Sequence, residues 1–362
     1  MLNTESEGFD FFKAAAYLKG RGAQINPSNR FDNYIRDANP LTDEEDGVSQ
    51  LQTQLTTVHP KTIVNEVVSP DIPMDYSANP YQGCEHGCVY CYARNTHPYW
   101  GYSAGVDFER KIMVKKNAAE LLEARILHPK WKAKPIMFSG NTDCYQPVER
   151  KMKITRAMLE VLWKYRHPVG IITKNSLILR DLGLLQKMAK EDLVKVNISI
   201  TTMDEKLRSF MEPRTATIKE RLKTVELLTA NGIPTQVLMA PVIPGLNDHE
   251  ILKLIEACAK AGALDFHHGI VRLNGEVQQI FIDWIQKTYP AKADKVINKI
   301  KECHGGDQLE SYIGNKMTKS KTADIIRKQV ALGKKKFFEG RTMPTLNCEI
   351  HDVYKTSQLK LF

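Results

Sequence analysis

The chain has 362 residues, of which 42% are hydrophobic and 26% are charged, a composition typical of a soluble globular protein with a core of useful size. The first residues lack the basic and apolar regions of a signal peptide, and no run of about 18 apolar residues predicts a membrane span. We therefore expect a cytoplasmic protein in a reducing compartment, where seven cysteines, an odd number, favour metal binding or catalysis over disulfides.

The net charge of +9 is unevenly distributed along the sequence. Residues 315–341 contain nine basic and two acidic residues. Such a segment attracts polyanions, although a solvated helix face has the same composition.

The elements predicted in chain order are those of an α/β protein. Residues 1–74 are polar and irregular, and we interpret them as a lead-in segment with little core of its own. From there, short apolar runs alternate with amphipathic segments, which predicts six βα units, a parallel sheet and a partial barrel. Strands are predicted near residues 75–81, 135–140, 169–174, 194–201, 234–244 and 264–273, and helices near residues 117–127, 153–165, 177–191, 217–232 and 249–262. After Glu276 the pattern predicts helices only.

Polar and small residues follow several of the predicted strands. In parallel α/β folds the chemistry lies beyond the carboxyl ends of the strands. Loops from distant parts of the chain are therefore expected to meet at one edge. They are the loop with the clustered cysteines, Ser139–Asp143, Lys174, Ser199–Thr202 and Val242–Asn247.

Three of the seven cysteines, Cys84, Cys88 and Cys91, lie within eight residues. A structural zinc site needs four ligands, and His86 or His97 could supply the fourth, but a distant second C-x2-C pair is missing. An ordinary four-iron cluster also takes four thiolates. Three thiolates leave one metal position open, which is the mark of a catalytic site.

The spacing C-x3-C-x-Y-C, formed by these cysteines and Tyr90, resembles the signature of the radical S-adenosylmethionine (SAM) superfamily. The resemblance implies a [4Fe–4S] cluster on Cys84, Cys88 and Cys91, with SAM chelating the fourth iron. An electron donor such as flavodoxin or ferredoxin would supply one electron, SAM would split into methionine and a 5′-deoxyadenosyl radical, and the radical would remove a hydrogen atom from the substrate.

The resemblance also assigns SAM contacts to the predicted edge. The turn after the second strand takes the place of the superfamily's glycine-rich loop, although the usual Gly-Gly-Glu is absent, so the methionine amino group would meet Ser139, Thr142 or Asp143. Lys174 would pair with the carboxylate, Ser199 would contact the ribose, and an apolar slot would hold the adenine. The full set of predicted SAM-binding residues is Ser139, Gly140, Asn141, Thr142, Asp143, Lys174, Ser199, Val242 and Ile243.

More narrowly, residues 20–340 resemble spore-photoproduct-lyase-like proteins, including the branch described as DNA repair photolyase-like. The segments that carry the resemblance are RGAQINPSNRF, NPYQGCEHGCVYCYARNTHPYWG, NTDCYQPVER, HPVGIITKNSLILRD, MEPR and APVIPGLNDHE. The lyase splits a thymine dimer in DNA, and tyrosines flank its third cysteine as Tyr90 and Tyr92 do here. The resemblance implies lyase-like or other radical chemistry on DNA or another nucleic acid, with both tyrosines as catalytic candidates.

Two departures bear on the reaction. The lyase's pattern places a hydrogen-donating cysteine three residues before the Asp of the second-strand loop, where this sequence has Gly140. Cys144 is the candidate substitute, and lyase activity in the strict sense is not expected. The insert between Tyr92 and Pro135, which contains His97, Tyr99 and Trp100, would shape a different substrate pocket.

The last residues resemble the peptide by which bacterial polymerases and repair enzymes bind the sliding clamp. Gln358, Leu359, Leu361 and Phe362 match the pattern, so the tail is a candidate clamp ligand, although it could equally fold back on its own domain.

The predicted organisation is a lead-in at 1–74, a radical SAM core at 75–275, a helical basic extension at 276–341 and a tail at 342–362. Two alternatives stay open at this point. One is a radical SAM enzyme acting on a small molecule or a protein side chain, and the other is a non-catalytic zinc-binding nucleic-acid module.

Overall fold

A computed structural model describes residues 18–31, 52–68, 74–306, 308–310 and 320–357. The strands are β1 Gln54–Val58, β2 Val64–Glu66, β3 Tyr76–Ala78, β4 Tyr81–Gln82, β5 Lys111–Lys115, β6 Ile136–Phe138, β7 Val169–Thr173, β8 Val194–Ser199, β9 Thr235–Val242 and β10 Asp265–Ile270. The helices are α1 Val106–Arg110, α2 Ala118–Ile126, α3 Glu149–Met152, α4 Ile154–Lys164, α5 Leu182–Ala189, α6 Glu205–Met211, α7 Ile218–Ala230, α8 Ile251–Lys260, α9 Val277–Thr288, α10 Pro290–Cys303, α11 Lys321–Phe337 and α12 Ile350–Ser357. Short 3-10 helices lie at Tyr92–Thr96, Pro98–Trp100, Ser176–Asp181 and Asp248–Glu250.

The main sheet confirms the predicted partial barrel. Its strand order is β10-β9-β8-β7-β6-β3-β2, and the six strands from β3 to β10 in this order are parallel. Strand β2 joins the edge antiparallel to β3. Each parallel strand pairs with the next one along the chain in this sheet, so their carboxyl ends, and the loops that leave them, lie at one edge.

Apolar residues at strand and helix spacing explain this arrangement. The central strands are rich in Val and Ile that are buried, as expected for a parallel sheet covered by helices. Helix α4 buries the predicted stripe of Ile154, Met158, Leu159 and Leu162 against the sheet. Helix α7 starts at a capping box between Thr217 and Glu220, which satisfies the free amides of its first turn.

A second, three-stranded sheet was not predicted. Its order is β1-β5-β4, with β1 parallel and β4 antiparallel to β5. Strand β1 comes from the segment that we interpreted as irregular, and β5 lies in the insert between Tyr92 and Pro135. Ile112 and Val114 of β5 are buried in the main core, so this sheet packs on the barrel.

The chain after β10 is helical in its described part, as predicted. The basic end of α11 lies beside the amino end of β10, where Lys334 Nζ is 2.6 Å from Asp265 Oδ1. Arg341 donates to the carbonyls of Ala259 and Ala263 at 2.9 and 2.6 Å, and Phe338 is buried. The basic end of α11 therefore lies opposite the edge that carries the cysteines. A substrate bound at the cysteine edge would not face this basic segment.

Across the described ranges, no helix combines the length and the apolar character needed to cross a membrane.

The tail residues Gln358–Phe362 lie outside the described residues, so binding of this tail to the sliding clamp stays a prediction.

Candidate active site

The cysteine loop, residues 83–92, runs from β4 to the 3-10 helix that starts at Tyr92. Cys84 and Cys88 are buried, Cys91 is half-buried, and all three thiols are free. Burial raises the pKa of Cys88 to about 12 and that of Cys84 well above its usual range. A metal group would supply the positive charge that such thiols need to ionise, because coordination deprotonates a thiol outright. The donor set therefore fits an iron–sulfur cluster.

The structure does not group either of the two histidines considered as zinc ligands with the cysteines into a site for a single metal ion. His86 Nδ1 lies 3.3 Å from Asp143 Oδ2. His97 is buried beside the rings of Tyr102 and Phe108, and burial lowers the pKa of His97 to about 4. Within the part of the chain that the structure describes, no three His, Cys, Asp or Glu side chains are grouped to hold a single metal ion.

A buried ion pair fixes the backbone of the cysteine loop. Arg94 Nε donates to the carbonyl of Cys88 at 2.9 Å, and Arg94 Nη1 donates to the carbonyls of Ala104 and Gly105 at 3.1 and 2.8 Å. Arg94 Nη2 lies 2.5 Å from Glu109 Oε1, and both side chains are fully buried. One guanidinium thus ties the loop to the segment that leads into α1.

The lead-in segment forms a strap, residues 18–31, across this ion pair. The amides of Gly22 and Ala23 donate to the carboxylate of Glu109 at 3.1 and 2.8 Å, and Arg21 donates to its backbone carbonyl at 3.0 Å. A Cβ on Gly22 would lie 1.7 Å from the carbonyl oxygen of Gly87, so only glycine fits there. This contact explains the RGAQIN motif: the strap backbone lies directly against the cysteine loop.

A second buried network lies on the other side of the loop, at Glu212. Its carboxylate accepts from the Tyr90 hydroxyl, from Thr201 Oγ1 at 2.8 Å and from Arg221 Nη2 at 2.6 Å. Burial alone would raise the pKa of Glu212, but Arg221, Lys174 and the Tyr90 hydroxyl lower it to about 2. Tyr90, a predicted catalytic residue, is therefore placed as a buried hydrogen-bond donor that orients the loop.

The MEPR motif, residues 211–214, makes further contacts with the cysteine loop. Val89 N donates to the carbonyl of Met211 at 3.1 Å, and Arg214 N donates to that of His86 at 3.3 Å. The guanidinium of Arg214 also lies 3.1 Å from Glu85 Oε1. The motif was noticed only as part of a resemblance, and the structure explains it as a backbone clamp on the loop.

The polar groups of the turn after β6 form hydrogen bonds with other groups of the protein. Ser139 Oγ donates to the carbonyl of Thr142 at 2.7 Å, and Thr142 Oγ1 donates to the carbonyl of Gly83 at 2.7 Å. Asn141 N donates to Asn79 Oδ1 at 2.7 Å. These bonds join the turn to the start of the cysteine loop.

Asp143 does not fit the predicted contact with the SAM amino group. Its carboxylate accepts from the amides of Lys174 and Tyr145 at 2.8 Å each and from Thr173 Oγ1 at 2.7 Å. Burial acts to raise the pKa of Asp143, yet His86 and these bonds lower it to about 2. The side chain is a buried staple between β6 and β7, and its acceptor capacity is used internally.

Lys174 has the surroundings expected for a cofactor contact. It follows β7 directly, is half-buried, and its Nζ lies 5.8 Å from the centre of the Tyr90 ring. Burial alone would lower the pKa of Lys174, but negative charge at Cys88, Glu212 and Asp143 raises it. The ammonium is therefore charged and lies beside the cysteine loop, where a carboxylate of SAM would be attracted.

The remaining predicted SAM contacts are buried. Ser199 is the last residue of β8 and is buried, so it lies at the expected edge. Val242 and Ile243 are fully buried, and their backbone groups already bond to Val271 N at 2.9 Å and Asn247 Oδ1 at 2.6 Å. Hydrogen bonds from adenine to these backbone groups would have to replace or share existing bonds.

The last two predicted catalytic residues, Tyr92 and Cys144, differ in their exposure to solvent. Tyr92 is exposed, and its hydroxyl donates to the carbonyl of Gly140. A Cβ on Gly140 would lie 3.8 Å from that hydroxyl and from Ser77 Oγ, which is ordinary contact. Cys144 is buried in the core with its thiol directed to the carbonyl of Ile172, so its predicted role as hydrogen donor is not supported.

The residues that hold the cysteine loop were missed by sequence reasoning. They are charged side chains that are fully or almost fully buried: Glu85, Arg94, Glu109, Glu212 and Arg221. Charged residues are mostly exposed, so each was invisible on its own. For Glu85, Arg94 and Glu212 the available signal was their position inside the motifs that carried the resemblance, whereas Glu109 and Arg221 lie outside those motifs.

Six parallel βα units with three thiols on the loop that follows the first strand define an enzyme barrel with its cofactor at the carboxyl edge. The sequence model of the Radical SAM superfamily matches residues 78–258, which is half of the chain. The chain belongs to this superfamily. Its enzymes use a [4Fe–4S] cluster and SAM, which favours a cluster on the three cysteines over the zinc-module alternative.

Relatives and solved structures agree with this assignment. An uncharacterized protein of Mycobacterium tuberculosis is 29% identical over 271 residues, covering 74% of this chain and 78% of that protein. An uncharacterized protein of Methanocaldococcus jannaschii is 27% identical over 257 residues, covering 71% and 90%. A spore photoproduct lyase variant with bound AdoMet and dinucleoside spore photoproduct has a TM-score of 0.56 at 16% identity, covering 79% of this chain and 80% of that one. A spore photoproduct lyase complexed with dinucleoside spore photoproduct gives the same values. At this identity the similarity shows the fold.

Proposed function

We propose that this radical SAM enzyme abstracts a hydrogen atom from a nucleic acid, as the predicted lyase-like branch implies. The observation that carries the proposal is the extent of the fold similarity. It covers 79% of the chain, whereas the superfamily match is confined to residues 78–258. The similarity therefore includes parts outside the shared core, and the structure that it matches has a dinucleoside bound.

Cys84, Cys88 and Cys91 would hold the cluster, and Lys174 would hold the SAM carboxylate. A bound cluster would supply one electron, taken from an external donor such as flavodoxin or ferredoxin, for the reductive cleavage of SAM, and the cleaved SAM would supply the group that removes a hydrogen atom from the substrate. The protein's own contribution is to fix the loop through Arg94, to bind SAM and to exclude water.

The fate of the substrate radical differs from that in the lyase's pattern. Gly140 stands where that pattern has the donor thiol, and Cys144 is buried away from this position. The exposed Tyr92 hydroxyl donates to the carbonyl of Gly140, and Tyr92 and Ser77 each place an O–H group 3.8 Å from where a Cβ of residue 140 would lie. We therefore assign Tyr92 to the site, and we do not assign the lyase reaction to this protein.

The test is transfer of hydrogen from DNA to the cofactor. The anaerobically reconstituted protein is incubated with SAM, a chemical reductant and ultraviolet-damaged oligonucleotides that carry deuterium in their sugars and thymine methyl groups. The proposal predicts deuterium in the 5′-deoxyadenosine detected by mass spectrometry, and none with Cys88→Ala. SAM cleavage that is unaffected by DNA, with no deuterium transfer from damaged or undamaged oligonucleotides, would refute it and favour a small-molecule or protein substrate.

A further inference from the structure

The exposed aromatic side chains of this protein are concentrated in one region. Within the described ranges, the exposed Phe, Tyr and Trp side chains are Phe31, Tyr92, Tyr99 and Trp100. Tyr99 is 70% exposed. All four belong to the segment that follows Cys91 or to the strap that packs on it. Single exposed apolar residues need no explanation, but a group of them beside an active site indicates an interaction surface.

Two of these rings adjoin an arginine. The Phe31 and Tyr99 rings have their centroids 4.9 Å apart, and the guanidinium carbon of Arg30 lies 5.0 Å from the first and 5.2 Å from the second. Trp100 follows Tyr99 in the same 3-10 helix. We call Arg30, Phe31, Tyr99 and Trp100 the aromatic platform.

Specific hydrogen bonds fix the two halves of the platform to each other. Asn29 Nδ2 donates to the carbonyl of Pro98 at 3.0 Å, and Phe31 N donates to Asn29 Oδ1 at 2.9 Å. Arg30 Nε lies 3.7 Å from Glu276 Oε1 at the start of α9. The segments that carry the rings are thus held in place while Phe31, Tyr99 and Trp100 stay 51%, 70% and 42% exposed, which lowers the ordering cost of binding a flat ligand.

The platform lies at the edge of the barrel that carries the cysteines. Tyr92 bonds to Gly140, which follows β6, and Asn95 Nδ2 donates to the carbonyl of Asn274, beyond β10, at 2.6 Å. The segment after the cysteine loop therefore spans the mouth of the barrel from one strand end to another. Tyr99 and Trp100 come immediately after this span.

We propose that the aromatic platform binds single-stranded DNA by stacking unpaired bases on Tyr99, Phe31 and Trp100. This inference rests on the proposed function and names the part of the protein that would hold the nucleic acid beside the lesion. Flat rings and a guanidinium stack on every base, and the cation also attracts the phosphates. The Arg30 guanidinium, beside the Phe31 and Tyr99 rings, is a positive charge at the platform itself and has the sign that a polyanion requires.

Binding of the anaerobically reconstituted full chain to a fluorescein-labelled oligothymidylate, measured by fluorescence anisotropy, tests the proposal. An abasic oligonucleotide of equal length serves as a second probe, because it has the same phosphates and no bases. The unmodified protein should prefer the probe with bases. Tyr99→Ala should weaken binding of that probe by about tenfold and leave the abasic probe unaffected. Tyr99→Phe, which keeps the ring, should bind like the unmodified protein.

A matched control removes an exposed apolar side chain far from the mouth, Leu332 on α11, as Leu332→Ala. Equal binding by Tyr99→Ala, Phe31→Ala and Leu332→Ala, or equal affinity of the unmodified protein for both probes, would overturn the platform. A loss of binding confined to Tyr99→Ala and Phe31→Ala supports the platform. If that loss is seen and oligonucleotides fail to donate deuterium to 5′-deoxyadenosine, the platform is still a binding surface, and only the proposal that nucleic acid is the substrate is refuted.

Discussion

The replacement Glu109→Gln tests whether the cluster depends on the ion pair behind the cysteine loop. Glutamine keeps the shape of the side chain but removes the charge that balances Arg94, and both residues are fully buried. Removing one partner of a buried ion pair costs about 3–5 kcal/mol, because the other charge stays in the interior without compensation. The replacement also weakens the acceptor for the amides of Gly22 and Ala23.

A loss of this size is a large part of the total stability of a folded domain, which is about 5–15 kcal/mol. The Arg94–Glu109 pair contacts the strap and the carbonyl of Cys88, so we expect the damage to be concentrated at the cysteine loop. The expected result is a lower urea midpoint of the apoprotein and a lower content of iron and sulfide after anaerobic reconstitution.

The matched control is Glu160→Gln, which breaks the Arg156–Glu160 pair on the surface of α4, where Nε and Oε1 are 2.7 Å apart. Exposed pairs of this kind contribute about 0–1 kcal/mol, so this variant should behave like the unmodified protein. Equal midpoints and equal iron content in the Glu109→Gln and Glu160→Gln proteins would refute the reasoning.

The remaining predictions concern the same site. Cys88→Ala should lose the cluster, and full iron and sulfide content in that variant would remove this cysteine from the ligand set. Lys174→Ala should weaken SAM binding by about 10- to 100-fold, measured by calorimetry, because a hydrogen bond to a charged group contributes about 1.5–3 kcal/mol. Lys187→Ala, on the exposed face of α5, should leave SAM affinity unchanged. Gly22→Ala should reduce cluster content, since its Cβ would lie 1.7 Å from a backbone oxygen of the cysteine loop. Gly140→Ala, with its nearest contacts at 3.8 Å, should retain the cluster, and equal iron content in the two glycine variants would show that the strap is not essential.

The main sheet could be predicted because each βα unit is local in sequence. The predicted strand at 169–174 is β7, and the predicted helix at 153–165 is α4, since strand and helix periodicities are visible within about ten residues. The short helix α6 was missed because it is a single stretch of seven residues in a loop after β8. Its polar start, capped by Asp204, gave no extended apolar pattern.

The second sheet could not be predicted from local patterns. Strand β1 has the sequence QLTTV and is exposed along most of its length, so it has no alternation of buried and exposed residues. Its pairing with β5 joins residues more than 50 positions apart, such as Gln54 and Lys111. Such pairing depends on the assembled barrel, because β5 is buried against the core and presents its edge to β1.

The candidate site also has a part that could be predicted from the sequence and a part that could not. The cysteine spacing indicated the cluster, and the position of Lys174 at the end of β7 indicated a cofactor contact. Asp143 was predicted from its place at the correct edge, whereas the direction of its side chain, towards the amides of Lys174 and Tyr145, could not be predicted. Sequence order identifies which loops meet, but the direction of a short side chain within a loop depends on the donors around it.

The bracing of the cysteine loop follows from the number of its ligands. A cluster held by three thiolates has one protein bond fewer than a cluster held by four, and its open iron must still face SAM in a fixed direction. The geometry that the missing ligand would enforce has to come from contacts to the loop backbone. Arg94 supplies such a contact at Cys88, the strap supplies another at Gly87, and the segment 211–214 supplies others at His86 and Val89. Two motifs outside the cysteine signature, RGAQINPSNRF and MEPR, are therefore accounted for by one physical requirement, the rigidity of a loop that must leave a coordination position open. This requirement also explains why charged residues are buried behind the loop, because a guanidinium that bonds several carbonyls at once fixes a backbone in a way that apolar packing cannot.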